Sequence, residues 1–170
     1  GKGLSLSGQG QYMLTDWKGI LSDRPRTVAF WVKAPKGRNK GTTALVAWGK
    51  QEKLEIPTNS KWSVHLDYGK NLDTTLNISF GGFWYYVPGL NLTDDTWHHV
   101  AVSYNGRFDA SGDPAVQLYI DGKSRATFYD THEPTPRDSS GRVVVNSLKK
   151  TPLSIGANLS AKAGEDVRKD

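Results

Sequence analysis

Asp94-Asp95-Thr96-Trp97-His98-His99-Val100-Ala101-Val102-Ser103-Tyr104, followed by Val116-Gln117-Leu118-Tyr119-Ile120-Asp121-Gly122-Lys123, is the stretch whose reading decides the fold. β-Branched and aromatic residues dominate Trp97 to Tyr104 and Val116 to Ile120, so both segments are predicted strands. Asn105 to Pro114 carries Gly, Asp and Ser and reads as a surface loop between them. Asp121-Gly122 is a tight turn leading into a further strand, Ser124 to Tyr129. Side chains of adjacent strand residues point to opposite faces. His98 and His99 therefore cannot chelate one metal without a bulge, and the pair reads as structural. At least one imidazole is expected to be hydrogen-bonded inside the protein.

Working outward, Leu4-Ser5-Leu6 alternates and reads as a first strand, with Gln11 to Leu14 continuing it beyond Gly8-Gln9-Gly10. Thr27 to Lys33 is a strong strand stopped by Pro35, with Phe30 and Val32 on one face and Ala29 and Trp31 on the other. Lys36 to Gly41 is a basic loop, and Ala44 to Trp48 a short apolar strand. Trp62 to Tyr68 sets Trp62, Val64 and Leu66 against Ser63, His65 and Asp67. Thr75 to Phe80 puts Leu76, Ile78 and Phe80 on one face, and Gly81-Gly82 turns the chain. Phe83 to Val87 is an aromatic strand stopped by Pro88-Gly89. Asp130 to Gly141 is a long loop, and Val143 to Val145 and Leu153 to Ile155 are the last strands. Residues 157–170 read as an irregular polar tail. No stretch has a helical period, and many short strands with regular turns mean an antiparallel sandwich or barrel.

The 170 residues suit a single domain. With no cysteine, disulfides and thiolate zinc sites are excluded. No apolar run approaches the roughly 18 residues of a membrane helix. The net charge of +5 is dispersed over sites such as Lys33, Lys36, Lys149 and Lys150. It favours anionic partners without selecting one.

Three motifs in order carry a family resemblance: Trp97-His98-His99-Val100-Ala101-Val102, then Val116 to Gly122, then Pro152-Leu153-Ser154-Ile155-Gly156. Gly3 to Gly8 and Arg26 to Val32 add to it. Together they resemble the laminin-G-like, concanavalin A-like jelly-roll superfamily, most closely the domains appended to bacterial cell-envelope proteins. The resemblance implies an all-β antiparallel sandwich with one concave sheet. It also implies noncatalytic binding of carbohydrate or glycoconjugate, or protein adhesion, outside the cell or at the envelope, sometimes with calcium at a loop rim. The family's usual closing strand has no match after Gly156. This points to a fragment of a longer protein, or to a sheet edge that another protein can cover.

In the aromatic strand, Phe83, Tyr85 and Val87 share one face and Trp84 and Tyr86 the other. One set should be core. The other, Trp84 and Tyr86, becomes a candidate platform for the C–H faces of sugars. Trp48 and Trp17 are further candidates, with core or rim as the alternative. Asp109 and Asp113 are the candidate calcium ligands, against ordinary turn chemistry. A glycosidase needs two carboxylates facing each other across a cleft. The glutamates, Glu52, Glu55, Glu133 and Glu165, all fall in loops or termini, so no catalytic residue is assigned. Nor does any nucleic-acid-binding motif occur.

Overall fold

A computed structural model of the chain describes residues 2–7, 9–17, 19–36, 41–49, 61–68, 74–80, 84–130, 137–145, 147, 152–159 and 167–168. Among these the strands are β1 (Met13–Leu14), β2 (Arg26–Val32), β3 (Thr42–Gly49), β4 (Lys61–Tyr68), β5 (Thr74–Ser79), β6 (Trp84–Leu90) and β7 (His98–Phe108). They continue with β8 (Pro114–Ile120), β9 (Lys123–Arg125), β10 (Phe128–Asp130), β11 (Ser154–Ile155), β12 (Asn158–Leu159) and β13 (Val167–Arg168). A seven-stranded sheet runs β1-β11-β3-β4-β5-β6-β10, and a four-stranded sheet runs β2-β7-β8-β9. Every pairing is antiparallel.

The deciding stretch supplies the middle of the four-stranded sheet. β7 pairs with β2 on one side, Trp31 opposite His99 and Val28 opposite Val102, and with β8 on the other. Ile120 and Lys123 face each other across Asp121 (φ 51°) and Gly122 (φ 76°). Two consecutive positive φ values make the hairpin turn whose twist suits antiparallel strands, and Asp-Gly tolerates them.

The two sheets close on a shared core. Trp62, Val64 and Leu66 of β4 and Leu76 and Ile78 of β5 meet Val100, Val102 and Tyr104 of β7 and Leu118 of β8, all at most 1% exposed. Burying each of these side chains stabilises the fold by roughly 1.5–3 kcal/mol. Phe80 joins the layers, edge-on to Tyr104 at 5.7 Å and to Tyr85 at 6.4 Å. The alternation expected in β2, β4, β5 and β6 is the one observed: Trp31 and Trp84 point out, Tyr85 and Val87 in.

Several elements depart from expectation. Leu4 to Leu6 is not a strand, and Leu4 is exposed; only Met13–Leu14 pairs, with β11. β6 runs through Pro88-Gly89 to Leu90. β10 reaches only to Tyr86, and the register with β5 shifts between Leu76–Val87 and Thr74–Leu90, so Pro88 has no paired residue on either side. β7 extends into the expected loop, crossing a bulge between Tyr104 and Phe108 before Phe108 pairs with Pro114. Ser124 to Tyr129 is not one strand: β9 stays with β8, and β10 crosses to the seven-stranded sheet beside β6. Val143 and Val145 are core-buried without forming a strand: Val143 makes only an isolated bridge to Arg137, and its N–H donates to the Gly112 carbonyl (2.8 Å). In the tail read as irregular, β12 and β13 pair with each other, two residues apiece. Such short strands leave no alternation to read. Gly81-Gly82, Phe83, the centre of the Lys36 to Gly41 loop and the start of the Asp130 to Gly141 loop lie outside the described residues.

Candidate functional site

The outward face of the seven-stranded sheet is built from two cross-strand rows. One runs Ser154, Ala47, Ser63, Ser79, Trp84; the other runs Ala44, His65, Asn77, Tyr86, Phe128. Paired residues share a face. The period-2 alternation that sends Val64, Leu66, Leu76 and Ile78 into the core therefore turns these residues away from it. The result is a polar floor over β4 and β5 with an aromatic margin over β6 and β10.

Ser63, Asn77 and Ser79 are buried although they point away from the core. His65 lies 2.8 Å from the Ser63 hydroxyl through Nε2. Burial, reinforced by the charge of Lys61, lowers its pKa to about 4, so the imidazole is neutral at pH 7. Asn77 donates from Nδ2 to one carboxylate oxygen of Asp67; the other, Oδ1, is buried with no hydrogen-bond partner among the described residues. At the margin Trp84 is 37% exposed and Phe128 52%. The half-buried Tyr86 ring stands 5.8 Å from that of Phe128. A neutral imidazole, hydroxyls and an amide can exchange hydrogen bonds with a hydroxylated ligand, while flat rings beside them cover its C–H face.

The four aromatic candidates do not converge. Trp84 and Tyr86 belong to this face. Trp48 does not: it is 1% exposed, stacks on Trp62 at 4.3 Å and donates from Nε1 to the Ile20 carbonyl (3.0 Å). Its strand partner is Trp62, so the pleat turns both rings into the core. Trp17 is half-exposed at the opposite margin of the sheet, where its carbonyl accepts from Leu153 and its ring rests 6.0 Å from Trp48. Phe128 was missed by sequence reading. Its position beside Tyr86 follows only from the β6–β10 register, which the local sequence Ser124 to Tyr129 does not reveal.

The calcium candidates have partners within the protein. Asp109 Oδ1 accepts the Ser111 and Asp113 N–H groups (2.8 and 3.0 Å) and so acts as a turn residue. Asp113 is buried, and its Oδ1 accepts from Arg137 Nη2 at 2.7 Å. The Arg137 guanidinium thus neutralises the Asp113 carboxylate. No group of three or more metal-ligating side chains occurs among the described residues. His98 and His99 separate as expected. His98 lies 2.8 Å from Asp121 Oδ2 and 3.1 Å from Asp94 Oδ1, whereas His99 packs against Trp31 on the outer face. Glu52, Glu55, Glu133 and Glu165 lie outside the described residues. Among the described residues no helix is long and apolar enough to cross a membrane.

Against known families, the model of the concanavalin A-like lectin/glucanases superfamily matches residues 6–160. The chain belongs to this superfamily. Membership agrees with the two-sheet antiparallel architecture and with the order of the three motifs around Trp97, Asp121-Gly122 and Leu153. Among solved structures the chain is similar to the Ruminococcus gnavus IT-sialidase CBM40, at 11% identity and a TM-score of 0.48, covering 81% of this chain and 66% of that one. No curated protein matches the sequence.

Proposed function

We propose that this domain is a noncatalytic carbohydrate-recognition module acting outside the cell or at its envelope. The observation that carries the reading is the pairing of an aromatic margin, Trp84 and Tyr86, with a polar row, His65, Asn77 and Ser79, on one sheet face. A sugar ring laid on the aromatic margin would turn its hydroxyls toward Asn77, Ser79 and His65. The net charge of +5 adds long-range attraction for anionic glycans. Trp84→Ala is expected to weaken glycan affinity about tenfold, read by calorimetry on a ligand first found on a glycan microarray. Thermal unfolding should shift by no more than a degree or so, because the ring is part-exposed. A microarray without a hit, or undiminished binding by the variant, would defeat the proposal. Release of reducing ends from a bound glycan would refute the noncatalytic part.

One observation favours a second reading, adhesion to another protein. Among the described residues β2 pairs only with β7, so every second residue of the strand directs its backbone N–H and C=O to the other side, beside half-buried Val28, Phe30 and Val32. A strand from a partner can add there. Sedimentation analysis of wild type and Ala29→Pro, which places an N–H-free residue within this strand, separates the two readings.

A further inference from the structure

The outer face of the four-stranded sheet carries an aromatic group that the proposed site does not use. Trp31 is 64% exposed and Trp97 56%. His99 is the cross-strand partner of Trp31, with the rings 5.2 Å apart at 58°; Trp97 stands two residues before His99, just ahead of β7, with its ring edge beside Gly3. The ground beside the rings is flat, because Ala29, Ala101 and Ser103 are small.

This face carries little charge, with Arg107 exposed at the far end of β7 and Lys33 at the rim. The chain has 22 Lys and Arg and 17 Asp and Glu. None of them falls at the outward positions Thr27, Ala29, Ala101, Ser103, Gln117 or Tyr119 that extend the face across β2, β7 and β8. At the rim, Lys33 and Asp95 neutralise each other at 3.2 Å. A surface built for phosphates, sulfates or carboxylates would present Lys or Arg. The two rings expose roughly 200–300 Å², well short of the ~800 Å² that each partner contributes to a stable protein interface. That area instead matches one or two pyranose rings.

We infer that Trp31, Trp97 and His99 form a second carbohydrate-contacting surface, whose ligand class is neutral polysaccharide presenting flat C–H faces. Contact with His99 holds the Trp31 ring in place before binding, which lowers the ordering cost. The surface lies on the opposite side of the sandwich from Trp84. Its hydrogen-bonding edge is separate too, since side chains stand perpendicular to a sheet and a strand added along β2 would not cover them.

The test is adsorption to insoluble cellulose and insoluble chitin, measured by depletion for wild type, the Trp31→Ala/Trp97→Ala double variant and Trp84→Ala, with size-exclusion chromatography of each. Wild type is expected to adsorb to at least one of the two. The double variant should lose about tenfold or more in affinity, and Trp84→Ala should retain it. All three should remain folded by thermal scan, because both altered rings are exposed. Three results would overturn the inference: no wild-type adsorption, equal adsorption by the double variant, or a change of oligomeric state in the double variant, which would make the patch a protein contact. Loss of soluble-glycan binding in Trp84→Ala with adsorption intact would leave the two surfaces standing independently.

Discussion

At the scale of single residues, Gly19 shows how closely the core is fitted. Its φ is +75°, and a Cβ there would lie 2.3 Å from Cδ1 of the Trp48 indole. Gly19→Ala must strain the backbone and displace a buried ring that stacks on Trp62. It should cost roughly 1–3 kcal/mol, visible as a lower urea midpoint. His98 offers a second test. Hydrogen bonding to Asp121 raises its pKa, and Thr96 and His98 hold Asp94 down at about 2. Asp121 is lowered as well, first by His98. The raised histidine stabilises fully below its unfolded value of 6.5 and loses that contribution as pH climbs through its folded value. The lowered aspartates contribute above their ordinary carboxylate value and lose it as pH falls toward 2. The stability gap between wild type and His98→Gln should therefore be widest between about pH 4 and 6 and narrow by pH 9. Urea titrations at three pH values check this, and a gap that widens at pH 9 would contradict the assignment.

At the scale of strands, Tyr104 of β7 carries an unusual cost. Its hydroxyl is buried with no hydrogen-bond partner among the described residues, while the Arg26 guanidinium stands 5.8 Å from its ring. Tyr104→Phe removes the stranded polar atom and keeps the ring, so stability should hold or rise by up to ~1 kcal/mol in thermal and chemical unfolding. Arg26 itself tolerates burial by donating to Ser147 Oγ (2.6 Å) and to the Arg24 and Ser22 carbonyls, and burial lowers its pKa to about 10. Much of the strand layout was legible in the sequence, since β2, β4, β5 and β6 alternate and alternation is what one buried face imposes. What was not legible depends on register between distant segments. Nothing local in Trp48 and Trp84 says that one stacks in the core and the other stands at a margin. Phe128 belongs to the aromatic margin only because the chain changes sheets between Arg125 and Phe128. Asp113 was legible as a loop carboxylate, but its partner Arg137 lies beyond a further stretch of chain.

At the scale of the whole molecule, two packed sheets send two outer faces in opposite directions, and their chemistry differs. The seven-stranded face is polar with an aromatic margin; the four-stranded face is low in charge and carries the exposed Trp31. The same pairing pattern has a consequence in time. β3, β4, β5 and β6 follow one another as successive hairpins, whereas β2 must wait for β7, which is made far along the chain. Loop closure disfavours such distant contacts until other structure shortens the search. The meander should therefore be structured in the folding transition state, with the β2–β7 ladder added afterwards. Leu76→Ala should mainly slow refolding, and Val28→Ala should mainly speed unfolding, in stopped-flow chevrons. If so, the strand that presents Trp31 is the last to be secured and the first to be released.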